Sequence, residues 1–517
     1  MRSIPVLSPQ EASAWDRAAE SAGISLFTLM ESAGRAAADV IARRYAEHLR
    51  DGVVVAAGLG NNGGDGWVVA RVLHHAGVPI WVTSVPGDPN PLASTMKNLA
   101  LATGVRQVPW DGPWPNVGLL VDALLGTGAR GAPRAPIGSL MERLQDLRLP
   151  IIAIDGPTGL DLASGVSHLP ARSDLSITFG GVRRGHLLAR DEVGSVVVVE
   201  IGHPPVSTPW PLLVTDAMAA DWLPRAPAKA HKGDRGRLVV IGGNTGMSGA
   251  VRLASRSAFG AGAGLIHAVA PADTVGALVV AEPDVQTLAH HLELPLSAAL
   301  RQLLERADTV IIGPGLGRAD SAAEFVLAVL EASRRAVVDA DALTVLQGKV
   351  GALRNLGQTR SFVLTPHQGE FRTLFSEHVQ SLESDPWSAA EAAASDAAAT
   401  VLLKGVPTVI SRAGATSFTV AAGNPGLATG GSGDVLSGLI GAFLAQNLEP
   451  GQAAALGAQV LGRAADLAAR RTSTRTLRPM DVVATLPDLW RAWEMIRTAP
   501  PSPRLPVVLE LEMPQQF

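Results

Sequence analysis

The stretch VVVAAGLGNNGGDGWVVARVL, residues 53–73, decides the class of fold. It opens with five small or β-branched apolar residues, continues through a loop of glycine and asparagine, and ends with the apolar spacing of a helix. A strand without polar alternation suits burial on both faces, and a strand that leads through a loop into a helix is the unit of a parallel sheet covered by helices. The stretch therefore predicts an α/β protein.

The same pattern recurs in two series along the chain. Strands are predicted at residues 53–57, 80–85, 119–124, 151–155, 175–179 and 196–201, and then at 237–242, 265–270, 309–312, 336–339, 361–364 and 400–403. Between the two series, residues 203–230 are rich in proline and lack sustained periodicity, which predicts a linker. We therefore expect one α/β domain over residues 1–222, a second over 223–498, and a Pro-rich tail over 499–517 that forms an extended appendage.

Composition excludes several classes of protein. A chain of 517 residues with 47% hydrophobic and 17% charged residues is not disordered and is long enough for more than one domain. The net charge of −4 gives no electrostatic reason to bind nucleic acid or an anionic membrane, so we expect small-molecule ligands. No apolar signal segment or membrane-spanning run occurs, so we expect a cytoplasmic protein.

The chain contains no cysteine, which narrows the chemistry of any metal site. Disulfides, thiolate nucleophiles and cysteine zinc sites are excluded together. Oxygen, imidazole and backbone groups remain as ligands. A bound metal should therefore be a hard ion such as Mg²⁺ or K⁺.

Three polar loops follow predicted strands in the first half of the chain, at residues 58–66, 121–131 and 154–161. The first is rich in glycine and leads into a helix, whose free N–H groups suit a phosphate. Each of the other two carries an aspartate, Asp122 or Asp155, near the end of its strand. Because ligands bind at the carboxyl ends of the strands in open α/β sheets, the three loops together predict a binding site. The alternative for both aspartates is a role as a helix or turn cap.

The motifs GNNGGDGWVVAR, VDALLGTGARG and IDGPTGLDLASG, in this order, resemble the NAD(P)H-hydrate epimerase family, also called the YjeF N-terminal family. The resemblance covers residues 8–220 and implies a Rossmann-like three-layer sandwich. It implies that the hydrated dinucleotide lies among Asn61, Asn62, Gly63, Gly64, Asp65, Gly126, Thr127, Gly128, Ala129, Arg130, Gly131 and Ala132. It also implies that Asp155 contacts the ring that is epimerised.

The same resemblance implies a potassium ion held by Asn62, Asp122 and Thr158. The family more often has serine at the position of Thr158, but the hydroxyl oxygen is kept. All three side chains offer hard oxygen ligands, as an alkali cation requires.

Epimerisation at carbon six of a hydrated nicotinamide requires either that the carbon–oxygen bond breaks or that the ring opens, followed by closure on the other face. Either route is acid–base work. Asp155 is the candidate group, because a carboxylate at a sheet edge can be desolvated enough to exchange protons near neutral pH.

A second glycine-rich loop, GNPGLATGGSGD at residues 423–434, leads directly into an apolar helix. Such a helix start offers backbone N–H groups to a transferring phosphoryl group, and Asp434 in the first turn can deprotonate the attacking hydroxyl. The alternative for Asp434 is a simple N-terminal cap. Other polar motifs close neighbouring predicted strands, at residues 313–317, 339–341, 364–370 and 403–408.

The motifs HKGDRGRLVVIGGN, GAGAGLI, GPGLG, DADAL, LTPHQGE, LKGVPT and GNPGLATGGSGDVLSG resemble the ADP-dependent NAD(P)H-hydrate dehydratase family, which has a ribokinase-like fold. The resemblance covers residues 228–490. It implies that Lys404, Gly405, Val406, Pro407, Thr408 and Gly433 bind the adenine nucleotide, and that Ala263, Gly315, His367 and Asp434 bind the hydrate. It implies phosphorylation of the ring hydroxyl by ADP with Mg²⁺, followed by expulsion of phosphate.

Together the two resemblances imply a bifunctional repair enzyme. It would interconvert the R and S forms of hydrated NADH and NADPH, and dehydrate the S form at the expense of ADP, giving AMP and phosphate. The alternative is a ribokinase-like vitamin or sugar kinase fused to a non-catalytic Rossmann-like binding module. A homo-oligomer is expected, of a stoichiometry that the sequence does not specify.

Overall fold

A computed structural model of the protein describes residues 3–168, 172–205, 209–225, 228–500 and 505–514. These residues divide into two units. The first unit comprises residues 3–210 together with 505–514, and the second comprises Pro211–Pro500.

Strands and helices alternate through both units. The strands are β1 Ile4–Leu7, β2 Val53–Ala57, β3 Ile80–Ser84, β4 Arg106–Val108, β5 Leu119–Ala123, β6 Ile151–Ile154, β7 Leu175–Phe179, β8 Val182–Arg183, β9 Ser195–Val199, β10 Leu212–Leu213, β11 Arg237–Ile241, β12 Leu265–Ala270, β13 Gln286–Ala289, β14 Thr309–Ile312, β15 Arg335–Val338, β16 Ser361–Leu364, β17 Thr400–Leu403, β18 Thr408–Ser411, β19 Phe418–Val420 and β20 Val507–Leu511. The helices are α1 Pro9–Ser21, α2 Leu26–Arg44, α3 Asn61–His75, α4 Pro91–Ala102, α5 Ile137–Asp146, α6 Arg184–Leu188, α7 Asp216–Trp222, α8 Ser248–Gly260, α9 Ala272–Ala281, α10 Ala298–Arg306, α11 Ala322–Ala332, α12 Asp341–Val345, α13 Val350–Gly357, α14 Gln368–Leu374, α15 Val379–Ser384, α16 Pro386–Ala397, α17 Ser432–Ala445, α18 Pro450–Arg471 and α19 Pro479–Thr498.

The first unit is built on a sheet with the strand order β20-β9-β7-β6-β5-β2-β3-β4, which is parallel except for β20. Alternate residues of β2 enter two separate cores. Val53, Val55 and Ala57 pack with α2 and α3, whereas Val54 and Ala56 pack on the opposite face with α5. Burial on both faces explains why this strand is apolar throughout and confirms the predicted α/β class.

The register of the first sheet brings the polar strand ends together. Asp122 in β5 lies opposite Ala56 of β2 on one side and Ala153 of β6 on the other. The loops that follow these three strands therefore meet at one edge of the sheet, as the sequence predicts.

The second unit has the strand order β13-β12-β11-β14-β15-β16-β17-β18-β19-β10. Its first seven strands run parallel, and the hairpin strand β18 is antiparallel to both β17 and β19. Helix α17 lies close against α8, because a methyl group at Gly438 would sit 2.0 Å from the Ser257 hydroxyl oxygen and 2.2 Å from the Ala254 carbonyl oxygen. This close approach fixes the position of α17 against α8.

The division between the units follows Trp210, whereas the sequence predicts a boundary at residue 222. Helix α7 belongs to the second unit, where Asp216 accepts hydrogen bonds from Gln459 (2.7 Å) and Arg463 (2.9 Å). Thr215 caps this helix. Two turns are too short to show periodicity, so proline content dominated the prediction of a linker.

The C-terminal segment also differs from the predicted appendage. Within it, β20 pairs antiparallel with β9, with Val507 opposite Val199 and Leu511 opposite Val196. Glu510 forms an ion pair with Arg44 at 2.7 Å. The apolar sequence VVLEL covers the open edge of β9, whose backbone N–H and C=O groups need partners.

A membrane-spanning helix is not found: within the described ranges, no helix is both long enough and apolar enough to cross a bilayer.

Candidate functional site

A cavity of about 530 Å³ opens at the carboxyl edge of the first sheet. Eight predicted ligand residues line it, namely Asn61, Asn62, Asp65, Gly126, Thr127, Gly128, Ala129 and Asp155. Arg130, Gly131 and Ala132 are exposed and lie outside its wall. Gly63 and Gly64 are buried beneath the loop. The structure therefore brings most of the predicted residues together and leaves the end of the second loop aside.

The glycines of the first loop are required by packing. A methyl group at Gly58 would lie 1.9 Å from the Leu124 carbonyl oxygen, and one at Gly63 would lie 1.9 Å from the Gly58 carbonyl oxygen. The loop therefore presses against the end of β5, and α3 begins at Asn61 directly above it. This contact sets Asn61, Asn62 and Asp65 at the cavity.

Asp155 lies at the floor of the cavity in a left-handed backbone conformation, with φ of 64°. Its Oδ2 accepts the Thr127 N–H at 2.7 Å and a short hydrogen bond from the Thr127 hydroxyl. Its backbone carbonyl accepts from His186 Nε2 at 2.6 Å, because His186 Nδ1 accepts the Arg183 N–H. Burial lowers the pKa of His186 to about 4, so this ring is neutral near pH 7. Asp155 is thus held from both its side chain and its backbone.

Arg183 decides the charge of Asp155. Burial raises the pKa of Asp155, but the nearby Arg183 guanidinium, 3.5 Å away, and the Thr127 hydrogen bonds outweigh burial, so the pKa lies below its ordinary value. Asp155 is therefore an ionised carboxylate at neutral pH. The sequence predicts that desolvation raises the pKa of Asp155 toward neutrality. That prediction is wrong, because the Arg183 cation lowers the pKa.

The pKa of Asp65, in the same cavity, shifts in the opposite direction. Burial raises the pKa of Asp65 well above its ordinary value, and the charges of Asp155 and Asp16 add to that rise. A carboxylate that is ionised at neutral pH and a carboxyl group whose pKa is raised therefore line the same cavity, a pairing typical of acid–base sites.

The predicted potassium ligands lie beside this cavity. Thr158 donates its hydroxyl to Asp122 Oδ1 at 2.7 Å and its N–H to Asp122 Oδ2 at 2.8 Å, and its hydroxyl oxygen accepts the Leu125 N–H at 3.0 Å. Asn62 lies beside Gly126, the residue after Leu125, since a methyl group at Gly126 would lie 3.1 Å from Asn62 Cγ. Burial raises the pKa of Asp122, although the hydrogen bonds from Thr158 and Leu124 counteract it.

Asn62 supplies the strongest indication that a ligand is needed there. Its amide oxygen and nitrogen are both buried and have no hydrogen-bond partner among the described residues. A buried amide without partners is costly, and a cation would satisfy its oxygen. The oxygen donors of Asn62, Asp122 and Thr158 therefore fit an alkali ion.

Three cavity residues had no role in the sequence analysis. Arg183 follows β7 within an arginine pair, a signal that was available. Asp16 and His203 meet across the cavity wall, with His203 Nε2 at 2.8 Å from Asp16 Oδ1 and the imidazole stacked on Trp15. Asp16 and His203 are far apart in sequence, so no local pattern could pair them.

The second site forms where four strand ends of the second sheet meet the first turn of α17. Gly315 follows β14, Asp339 follows β15, His367 follows β16 and Lys404 follows β17. A methyl group at Gly433 would lie 3.6 Å from Lys404 Nζ and 3.7 Å from Asp339 Oδ2. The ammonium group therefore sits at the helix start, where backbone N–H groups and the helix dipole favour an anion.

Asp434 occupies the same turn. Burial and the neighbouring charge of Asp339 raise its pKa to about 7, while Lys404 opposes the rise. A carboxylate with this pKa can take a proton at neutral pH and release it again. Asp434 thus has the properties of the predicted general base.

His367 is both a cap and a site residue. Its Nδ1 accepts the N–H groups of Gly369 (2.9 Å) and Glu370 (3.2 Å) at the start of α14, so Nε2 carries the ring proton. A backbone bridge joins His367 to Lys404. The side chain is 59% exposed, and its Nε2 lies 3.5 Å from Glu370 Oε1.

The remaining nucleotide residues form the turn between β17 and β18. Thr408 donates its hydroxyl to the Gly405 carbonyl at 3.1 Å, and Val406 is 74% exposed beside Pro407. The turn therefore presents backbone and apolar surface next to Lys404.

Ala263 does not join this group. It lies before β12, at the amino edge of the sheet, packs in the core, and donates its N–H to Ala258. The alanine at the carboxyl edge is Ala250, whose Cβ would lie 3.3 Å from a methyl group at Gly315. The predicted position is corrected by this geometry, because the alanine-rich motif GAGAGLI precedes its strand rather than following it.

Comparison with known proteins matches a different family model to each half of the chain. Residues 26–185 match the family model described as YjeF-related protein N-terminus, and residues 238–488 match the model described as NAD(P)H-hydrate dehydratase. Among solved structures, the ADP/ATP-dependent NAD(P)H-hydrate dehydratase of Bacillus subtilis, co-crystallised with ATP and Mg²⁺, is 25% identical with a TM-score of 0.46, covering 54% of this chain and 97% of its own.

Full-length relatives match across both units. The bifunctional NAD(P)H-hydrate repair enzyme Nnr of Escherichia coli is 36% identical over 482 residues, covering 91% of this chain and 90% of the relative. The enzyme of the same name from Pyrobaculum aerophilum is 36% identical over 511 residues, covering 93% and 98%. The chain therefore belongs to the family of bifunctional NAD(P)H-hydrate repair enzymes.

Proposed function

We propose that the first unit interconverts the R and S forms of hydrated NADH and NADPH, and that the second unit dehydrates the S form with ADP, giving AMP and phosphate. The observation that carries this assignment is the pair of carboxylates, Asp155 and Asp434, each held at the carboxyl edge of its own sheet in a setting that fits its task.

In the first unit, the ionised Asp155 is suited to accept the proton of the hydroxyl on carbon six. Loss of that proton favours the ring-opening route, because breaking the carbon–oxygen bond would instead need a proton donor at that oxygen. Asp65, whose pKa is raised by burial, is suited to protonate the ring nitrogen as its bond to carbon six breaks. Reclosure on the other face reverses both transfers.

In the second unit, Asp434 takes the proton of the ring hydroxyl as that oxygen attacks the terminal phosphorus of ADP. The bond from that phosphorus to the AMP oxygen breaks, and the N–H groups of the α17 start with Lys404 stabilise the charge of the transferred group. Phosphate is then a good leaving group. The lone pair of the ring nitrogen expels it from carbon six, and loss of a proton from carbon five to water restores the reduced cofactor.

Mg²⁺ enters this reaction with the nucleotide. In the ranges that the structure describes, no cluster of three or more histidine, aspartate or glutamate side chains could hold a metal ion. Mg²⁺ is commonly bound through substrate phosphates and few protein groups, so it belongs to the ADP complex.

Potassium is proposed for the first unit, held by Asn62, Asp122 and Thr158. The unpartnered amide of Asn62 supports this assignment. When bound there, the ion supplies a positive charge beside the loops that carry Thr127 and Asp155, and so helps to keep the cavity wall in place.

A mixture of both hydrate epimers with ADP tests the proposal. Consumption of both epimers supports the bifunctional enzyme, consumption of the S form alone supports a non-catalytic first unit, and consumption of neither supports a kinase for another substrate. Asp434→Asn should stop dehydration while epimerisation continues, and a rate loss below about tenfold would exclude Asp434 as the essential base. Chromatography resolves the epimers and the restored cofactor.

A further inference from the structure

Asp339 has no role in the reaction as described so far, yet it is among the most buried charged groups of the second unit, at 1% exposed. Its Oδ1 accepts from Lys404 Nζ at 2.9 Å, and its Oδ2 accepts the Ser437 hydroxyl at 2.6 Å. Ser437 lies one turn after Asp434 on α17. The carboxylate therefore joins the end of β17 to the helix that carries the base.

The backbone at Ala340 directs the side chains of Asp339 and Asp341 to different partners. Ala340 has φ of 50° and ψ of −125°, a conformation that is unfavourable for residues other than glycine. It directs Asp339 toward Lys404, while Asp341 accepts from the Gly317 N–H at 3.0 Å and from Arg318 Nε at 2.8 Å. Such strain persists where the surrounding contacts enforce it, and it concentrates at functional sites.

We propose that Asp339 is a positioning residue of the dehydratase site, which fixes the Lys404 ammonium at the first turn of α17 so that Asp434 faces a paired cation rather than a free one. This inference rests on the proposed dehydration and adds a residue to it. Lys404 would meet the transferred phosphoryl group, and Asp339 would act only through Lys404 and through its own charge.

The groups that face Asp434 define the expected effect. Asp339 and Asp341 come from the end of β15 and from α12, Lys404 comes from the end of β17, and Glu370 of α14 lies 3.6 Å from Lys404. Without the charge of Asp339, the pKa of Asp434 should fall, because an anion is lost and Lys404 is no longer neutralised. Without Lys404, it should rise.

The test is the pH profile of kcat/KM for dehydration, whose acid limb reports the base in the free enzyme. Asp339→Asn should move that limb to lower pH by about one unit, and Lys404→Gln should move it to higher pH. Ser437→Ala keeps the charge and should leave the limb in place. Asp216→Asn removes a carboxylate of α7 that accepts two partly buried hydrogen bonds far from this site, and it is the control for the loss of a carboxylate and its hydrogen bonds.

A second measurement does not depend on activity. It compares the unfolding temperature of the wild-type protein with that of Asp434→Asn across pH. Between the ordinary aspartate pKa and the folded value near 7, Asp434 is ionised only in the unfolded chain, which favours unfolding of the wild type. The gap between the two unfolding temperatures should therefore widen as pH rises through this range. In the Asp339→Asn background the gap should stop widening at lower pH. If both the limb and this gap keep their wild-type positions, Asp339 is a structural residue only. Absence of wild-type dehydration would instead refute the proposed function.

Discussion

Arg183 separates the behaviour of two carboxyl groups that share one cavity. Its guanidinium contacts Asp155, the proposed base, and donates from Nε to the hydroxyl of Thr127 at 3.1 Å, the residue that hydrogen-bonds to Asp155. Burial and the charges of Asp155 and Asp16 instead raise the pKa of Asp65. Arg183 thus supports the proposed role of Asp155 as the base and leaves Asp65 as the candidate acid.

Arg183→Gln should weaken epimerisation in a pH-dependent way. Loss of the cation raises the pKa of Asp155, and a base with a higher pKa loses activity at higher pH as the solution is acidified. The acid limb of epimer interconversion should thus move upward, with little loss well above it. Arg183→Lys keeps the charge and serves as the control. An unchanged limb in Arg183→Gln would show that Asp155 is not the titrating base.

The potassium proposal is best tested at Asn62. Asn62→Ala loses no hydrogen bond visible in the described residues, whereas Asp122→Ala also removes the acceptor of two Thr158 bonds. Both variants should cripple epimerisation at ordinary potassium and leave dehydration unchanged. In the wild type, replacing potassium with tetramethylammonium at equal ionic strength should lower both the rate and the unfolding temperature of the first unit.

Equal rates in the two buffers would show that epimerisation does not depend on potassium, and Asp122 would then be interpreted as a turn cap. Retention of the potassium effect in Asn62→Ala would remove Asn62 from the ligand set.

Sequence alone placed the residues that lie inside motifs at strand ends, since the carboxyl edge of a parallel sheet follows from topology. It could not give Arg183 its role, because that role depends on a distance to Asp155. It misplaced Ala263, because a motif that comes before a strand lies at the opposite edge. Asp339 was visible as a motif, but its contact with Lys404 was not.

At the scale of elements, the central strands were predicted closely and the peripheral ones were not. Strands β2, β7, β12, β14, β16 and β17 have the predicted bounds. The missed strands, β1, β4, β8, β10, β13, β18, β19 and β20, are short or lie beside turns. Buried central strands carry their signal in their own apolar residues, whereas edge strands are defined by the neighbour they pair with.

Removal of strand β20 should lower the stability of the first unit and promote aggregation. Truncation after residue 500 leaves β9, with the sequence SVVVV, as an open edge, and unpaired valine-rich edges pair with other chains. The truncated protein should show a lower unfolding temperature for its first unit and light scattering on warming. Truncation after residue 514 keeps β20 and is the control. Equal scattering from the two proteins would show that β20 does not protect the edge.

At the scale of the whole chain, the position of the boundary makes a prediction about fragments. A fragment of residues 211–500 should fold cooperatively and dehydrate the S form with ADP, since it keeps β10 and α7. A fragment of residues 223–500 loses the ring contact between Trp222 and Phe418 and both hydrogen bonds to Asp216. Its unfolding temperature should be lower by several degrees.

Calorimetry measures the unfolding temperatures of the two fragments. Equal unfolding temperatures would favour a boundary at residue 222. The first unit, by contrast, should need residues 501–514 added as a peptide for full stability. Self-association of the whole chain stays a prediction, to be measured by light scattering.

The route of the chain has a consequence for its synthesis. Roughly 300 residues separate β9 from its partner β20, and at about 5–20 residues per second they take on the order of 15–60 s to emerge from the ribosome. Throughout that interval the first unit waits with one strand edge unpaired while the second unit is made. An interrupted chain therefore differs from a finished one in its first unit, because it lacks the strand that pairs with β9.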